Sequence, residues 1–186
     1  TTLETSFFAL LGLSNLFFMF NSFDYFAESS KYNPLLHTWS LGVEEQFYFI
    51  YPLIFFLLLK KSKHSNLIFL LIPISLFLFF YLFNSLNGFA YYSIFTRFWQ
   101  MLIGVFAAYL LSRRKIFIPY VNIFILFTLA LLFFLKTISP ISHFIAVFLT
   151  FLLIINSFNV KVNKFTRPLL QIGLISYSLY LWHHPI

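Results

Sequence analysis

Seven apolar stretches divide the chain, at approximately 3–20, 41–59, 67–83, 94–111, 117–135, 141–158 and 169–186, with short polar linkers between them. A helix needs roughly 20 apolar residues, rising about 1.5 Å each, to cross a hydrocarbon core of about 30 Å. At that length only helices satisfy their own backbone N–H and C=O groups in lipid. The pattern predicts an all-α fold, a polytopic transmembrane helix bundle of about seven spans, as one domain over residues 1–186. Composition points the same way. Of 186 residues, 61% are hydrophobic and 9% charged, against the roughly one quarter that a soluble domain uses to cover its surface. The thirty Phe residues carry no separate weight, because an AT-rich genome favours the same codons.

The basic residues alternate between linkers. Lys60, Lys61 and Lys63 lie in 60–66, Arg113, Arg114 and Lys115 in 112–116, and Lys161, Lys164 and Arg167 in 159–168. The intervening linkers hold Lys31 alone, none, and Lys136. This is a positive-inside pattern, and it predicts that loop 21–40 lies on the extracytoplasmic side. The net charge of +7 is then cytoplasmic trim, and no nucleic-acid partner is expected. Absence of Cys excludes disulfides, thiolate metal sites and a cysteine nucleophile. The chain opens TTLETSFFAL, with Glu4 where a signal peptide would be basic. Its start without Met and its stop at Ile186 predict an internal piece of a longer protein.

With this topology the unusual polar residues share the outer level: His37, Trp39, Ser40, Glu44 and Glu45, then Arg97, Trp99 and Gln100, then Trp182, His183 and His184. Ionisable residues in membrane segments usually face a bundle interior or a wet cavity. Ser40 is an expected N-cap, with carboxylates favoured in the turns that follow. Glu44, Tyr48 and Tyr51 share a helical face and are expected to point inward, while Glu45 goes with Phe49 and Pro52. Arg97 either snorkels to the headgroups, pairs with Glu44 in the interior, or clamps an anionic or carbonyl group. The three Trp residues fit an outer aromatic belt, and Tyr177 and Tyr180 read as packing residues with polar tips. His37 and His183 are the candidates for proton transfer. His64 and His143 have no obvious partners. A Ser40–His37–Glu44 triad is conceivable, but a loop-to-helix junction does not define its geometry. Without HxxxH or HExxH spacing, no metal site is expected. Pro73 is the clear interior helix breaker.

Four segments carry a family resemblance. NPLLHTWSLGVEEQFYFIYP (33–52) resembles the signature segment of the acyltransferase 3 family, membrane-bound O-acyltransferases of bacterial cell-surface polysaccharides. LLGLSNLFFMFNSFDYFAES precedes it, TRFWQMLIGVFAA resembles a mid-protein element, and IGLISYSLYLWHHPI resembles the closing motif. The resemblance implies transfer of an acyl group, commonly acetyl from acetyl-CoA, to a sugar hydroxyl across the bacterial cytoplasmic membrane. Acyl-CoA is the implied donor, with no bound cofactor; a saccharide acceptor and membrane lipid are the implied partners. His37, Trp39, Ser40, Glu44, Gln46, Phe47 and Tyr48 match signature positions. Arg97 and Gly104 match the middle element, and Tyr177, Ser178, Tyr180, His183 and Pro185 the closing one. Gln100 stands where Glu is usual, and His184 where Trp is usual. The expected catalytic residues are His37, Glu44 and Arg97, with Trp39, Ser40, Tyr48, Tyr51 and His183 as substrate-binding residues. Members begin with spans bearing further arginine and histidine residues that do not occur here, so the piece alone is expected to be inactive. The alternatives are a transporter or flippase of lipid-linked saccharides, favoured by broken helices, and a structural membrane subunit.

Overall fold

The computed structural model describes residues 2–21, 33–59, 65–85, 87–113, 118, 120–135, 139–157 and 167–182. Among these the regular elements are helical, as expected: α1 (Thr2–Leu10), α2 (Ser14–Phe20), α3 (Thr38–Leu59), a 3-10 turn (Ser65–Leu70), α4 (Leu71–Ser85), α5 (Asn87–Tyr92), α6 (Ile94–Arg113), α7 (Val121–Leu135), α8 (Pro140–Ser157) and α9 (Arg167–Trp182). Among the described residues, one run, Gly88–Arg113, is long and apolar enough to cross a membrane, at 26 residues and a mean hydropathy of 1.5. Leu67–Phe83, Val121–Leu135 and Pro140–Asn156 are shorter apolar helices. Most of loop 21–40 and most of the basic linkers lie outside the described residues.

One predicted span is interrupted, and another is preceded by a break. The stretch 3–20 breaks at Gly12, whose φ of +68° ends α1 and turns the chain into α2. Glycine adopts this left-handed conformation without a Cβ penalty. The fourth stretch is preceded by the short α5, with the break at Ser93. The prolines also fall differently from expectation. Pro73 is the third residue of α4, where its missing N–H costs no helical hydrogen bond. Pro52 is the proline inside a helix, and it removes the bond that α3 would make to the Tyr48 carbonyl.

α4 packs along α6, which also touches α3 and α8, and α7 packs on α8. Three aromatic-rich clusters form the interior. Val43, Phe47, Ile68, Ile94, Phe98 and Leu102 join α3 to α6. Phe79, Phe83, Ala90, Tyr91 and Trp99 join α4, α5 and α6. Phe17, Phe18, Leu36 and Tyr92 join α2 to α5. Trp39 packs against all three, so one side chain of the signature segment is the junction of the core. Asn156, buried near the end of α8, donates to the Ile118 carbonyl at 2.9 Å and to Asn122 Oδ1 at 2.7 Å, and accepts the Ile118 N–H at 2.6 Å. Outer faces carry large apolar side chains; in α7 Ile125 is buried, while Phe124, Phe127, Phe133 and Phe134 are exposed.

Candidate functional site

The break between α5 and α6 organises the site. A helix end leaves its last carbonyls without intrahelical donors, and here three side chains supply them. Thr96 Oγ1 donates to the Ala90 carbonyl at 2.8 Å, Arg97 Nε to Tyr91 at 3.2 Å, and Asn15 Nδ2 to Tyr92 at 3.1 Å. Thr96 and Asn15 are fully buried and Arg97 is 7% exposed. Asn15 is held in turn by Gln46, whose Nε2 donates to Asn15 Oδ1 at 2.8 Å and to the Gly12 carbonyl at 3.2 Å. Both chain breaks therefore meet at one polar network beneath the head of α3.

Arg97 points inward rather than snorkelling. Its guanidinium carbon lies 4.8 Å from the Tyr91 ring centre, 5.4 Å from Trp39 and 5.6 Å from Phe79. Its Nη1 donates to Gln100 Oε1 at 3.3 Å. A planar, weakly hydrated cation suits such a ring-walled position better than an ammonium would. The carbonyl that the Arg97 Nε meets is the protein's own, from Tyr91.

The turn carrying Arg97 is pinned from α4. The Ser75 hydroxyl donates to the Phe95 carbonyl at 2.5 Å and accepts the Trp99 N–H at 3.0 Å. These two groups would bond each other in a regular helix, so Ser75 bridges one rung of α6 on either side of Arg97. Trp99 itself is fully buried against Phe79 and Phe144. It is a core residue, not part of an aromatic belt, because α4 and α8 cover its face.

A second group forms at the start of α3. His37, 8% exposed, stacks edge-on to Tyr180 of α9 at 5.5 Å between ring centres. The Tyr180 hydroxyl donates to the His37 carbonyl and is bonded to the Ser40 hydroxyl. Two of the four resembling segments thus touch through His37, Ser40 and Tyr180. Ser40 is not the N-cap, since α3 already begins at Thr38; its hydroxyl is used on α9 instead. His183 lies outside the described residues, as do His184 and His64.

The expected inward stripe of α3 is displaced. Val43 and Phe47 are the buried positions, and Phe47 meets Phe98 of α6 at 5.0 Å. Glu44 and Tyr48 are exposed and Tyr51 is half-buried. Helical phase put Glu44, Tyr48 and Tyr51 together correctly, but the apolar Val43–Phe47 row competes for the interior and wins on burial. Glu45 lies against Gly12, where an added Cβ would strike its carboxylate.

Sequence reading passed over Asn15, Ser75 and Thr96, and left His143 without partners. His143 contacts Tyr91 and Ser139. A usable signal existed for Asn15 and Ser75, because a polar side chain in the middle of an apolar stretch needs a partner. Beside Gln100, a groove of about 240 Å³ runs between α6 and α8, lined by residues that include Gly104, Ala146 and Thr150. Among the described residues no three potential metal ligands come together.

The model of the acyltransferase domain family matches residues 5–186. The chain belongs to the acyltransferase 3 family. It is 31% identical over 202 residues to the O-acetyltransferase OatA of Staphylococcus aureus (strain COL), a match covering 96% of this chain and 33% of that protein. A putative O-acetyltransferase of the same strain is 30% identical over 203 residues, with the same shares covered. The chain thus spans about a third of the length of the curated relatives it matches. No solved structure matches it significantly.

Proposed function

We propose that the protein is a multi-pass membrane O-acyltransferase that moves an acyl group, acetyl in the first instance, from a CoA thioester to a hydroxyl of a cell-surface or lipid-linked polysaccharide. Family membership supports acyl transfer, and the relatives named as O-acetyltransferases support acetyl and oxygen. The observation that carries the reading at the level of chemistry is Arg97. A buried guanidinium held by the Tyr91 carbonyl and three rings is an oriented cation in a low-dielectric setting, suited to stabilising an acyl oxygen as it gains charge. His37 and the accessible Glu44 are the proposed groups that take the proton from the acceptor hydroxyl. Trp39, Ser40, Tyr48, Tyr51 and His183 are the proposed substrate-side residues. The groove beside Gln100 is where the acyl group would sit. The exposed apolar faces and the Gly88–Arg113 run support placement in the bacterial cytoplasmic membrane, with loop 21–40 outside by the charge pattern.

Interrupted helices are also a feature of transporters. Here, however, the carbonyls freed at the α5–α6 break are occupied by Thr96, Arg97 and Asn15, which favours a rigid site over a conduction path. The test is ester-linked acetyl on surface polysaccharide in cells carrying the complete gene, with His37→Ala and Glu44→Gln each present in the membrane at parental levels. Loss of acetylation in both supports the assignment. Parental acetylation in both removes these residues from the chemistry, and acetylation independent of the gene removes the enzyme reading.

A further inference from the structure

His143 belongs to none of the resembling segments, yet its surroundings are built. Ser139 and Ser142 cap the start of α8 reciprocally: the Ser139 N–H donates to Ser142 Oγ at 3.2 Å, and the Ser142 N–H to Ser139 Oγ at 3.1 Å. Pro140 occupies the first helical position, as such caps favour. This sets the phase of the first turn and delivers His143 onto α4 and α5. Its ring meets those of Tyr91 at 5.7 Å, Phe79 at 6.1 Å and Phe83 at 6.3 Å.

The hydrogen bonds give the ring a direction. Nδ1 lies 2.8 Å from the Ser139 carbonyl; a carbonyl only accepts, so Nδ1 carries the hydrogen. Nε2 is then the lone-pair nitrogen, and the Tyr91 hydroxyl, 3.4 Å away, donates to it. Tyr91 is the residue whose ring and carbonyl both hold Arg97. A continuous path therefore runs from the cap of α8 through His143 and Tyr91 to the guanidinium.

We propose that His143 is a positioning residue for Arg97: it fixes the Tyr91 ring, and through that ring it fixes where the cation stands. This rests on the acyltransferase reading for its kinetic consequence, but not for its structural one. In membranes containing the protein from its complete gene, the rate at which phenylglyoxal modifies Arg97 is followed by peptide mass spectrometry. The variants are His143→Phe, His143→Gln, Tyr91→Phe and the double variant His143→Phe/Tyr91→Phe. Arg113, exposed at the other end of α6, serves as the reference. Arg97 reacts several-fold faster in His143→Phe and in Tyr91→Phe, and the double variant matches the single variants, because both substitutions cut one path. His143→Gln, which keeps an acceptor for the Tyr91 hydroxyl, returns the rate towards the parent. Acyl transfer falls about tenfold in kcat in the same two single variants with KM for the acceptor unchanged. Parental Arg97 reactivity in both single variants overturns the proposal, as does an equal rise at Arg113, which marks general loosening. If the parent transfers no acyl group, the functional reading fails, while the Arg97 rates still decide the positioning role.

Discussion

The guanidinium carbon of Arg97 stands 4.8 Å from the centre of the Tyr91 ring while its Nε donates to the carbonyl of the same residue at 3.2 Å. One neighbour thus holds the cation by both a face and a backbone group. Lysine can reproduce neither the planar stacking nor the directed Nε–H. Arg97→Lys is therefore expected to lower the acyl-transfer rate by about 100-fold to 1,000-fold, and to cost about 1–3 kcal/mol of stability through the uncapped Tyr91 carbonyl. Initial rates and thermal unfolding of the purified variant check the two effects separately.

Ser75 makes a second prediction, about the frame rather than the cation. Removing its hydroxyl leaves Phe95 and Trp99 to close their own rung, which shifts the turn between them. Ser75→Ala should cost about 1 kcal/mol, the net worth of the hydrogen bonding that the re-closed rung does not replace. Calorimetry in detergent reports it. A melting temperature equal to the parent's would mean that α6 closes without the serine.

Gly12 carries two separable constraints. Its φ of +68° disfavours any side chain, and its missing Cβ makes room for the Glu45 carboxylate. Gly12→Ala should destabilise by about 1–2 kcal/mol from backbone conformation alone, and further from the collision. Adding Glu45→Ala should recover only the second part. Full recovery in the double variant would show that the left-handed turn is not strained by alanine.

Gly104 lies on the groove between α6 and α8, and a Cβ added there would meet no atom within 4 Å. Gly104→Leu should leave the fold intact or slightly more stable, by up to about 1 kcal/mol from helix propensity. It should also fill the groove. An acyl-transfer rate that falls while thermal unfolding is unchanged supports the groove as the acyl site; unchanged transfer assigns the acyl group elsewhere.

Helical class, the positions of the apolar stretches and the polar residues that need an explanation are all legible in the linear chain. Backbone groups in an apolar stretch have one local way to be satisfied, and 3.6-residue periodicity tells which side chains share a face. The resemblance carried by the HTWS and SYSLYLW segments is equally local, and it includes His37, Ser40 and Tyr180, which are in contact in the structure. Which face turns inward is a different kind of fact. Val43 and Phe47 displaced Glu44 and Tyr48 from the interior because α6 offered Ile94 and Phe98 to pack against. Arg97 went inward because the Tyr91 carbonyl and three rings, two of them from the distant Trp39 and Phe79, were there to receive it. Trp99 left the surface because α4 and α8 close over it. His143 found Tyr91 across 52 positions of chain. Local sequence sets what each residue needs, and only tertiary packing decides which partner meets that need, since burial energy depends on the neighbours that supply the buried surface.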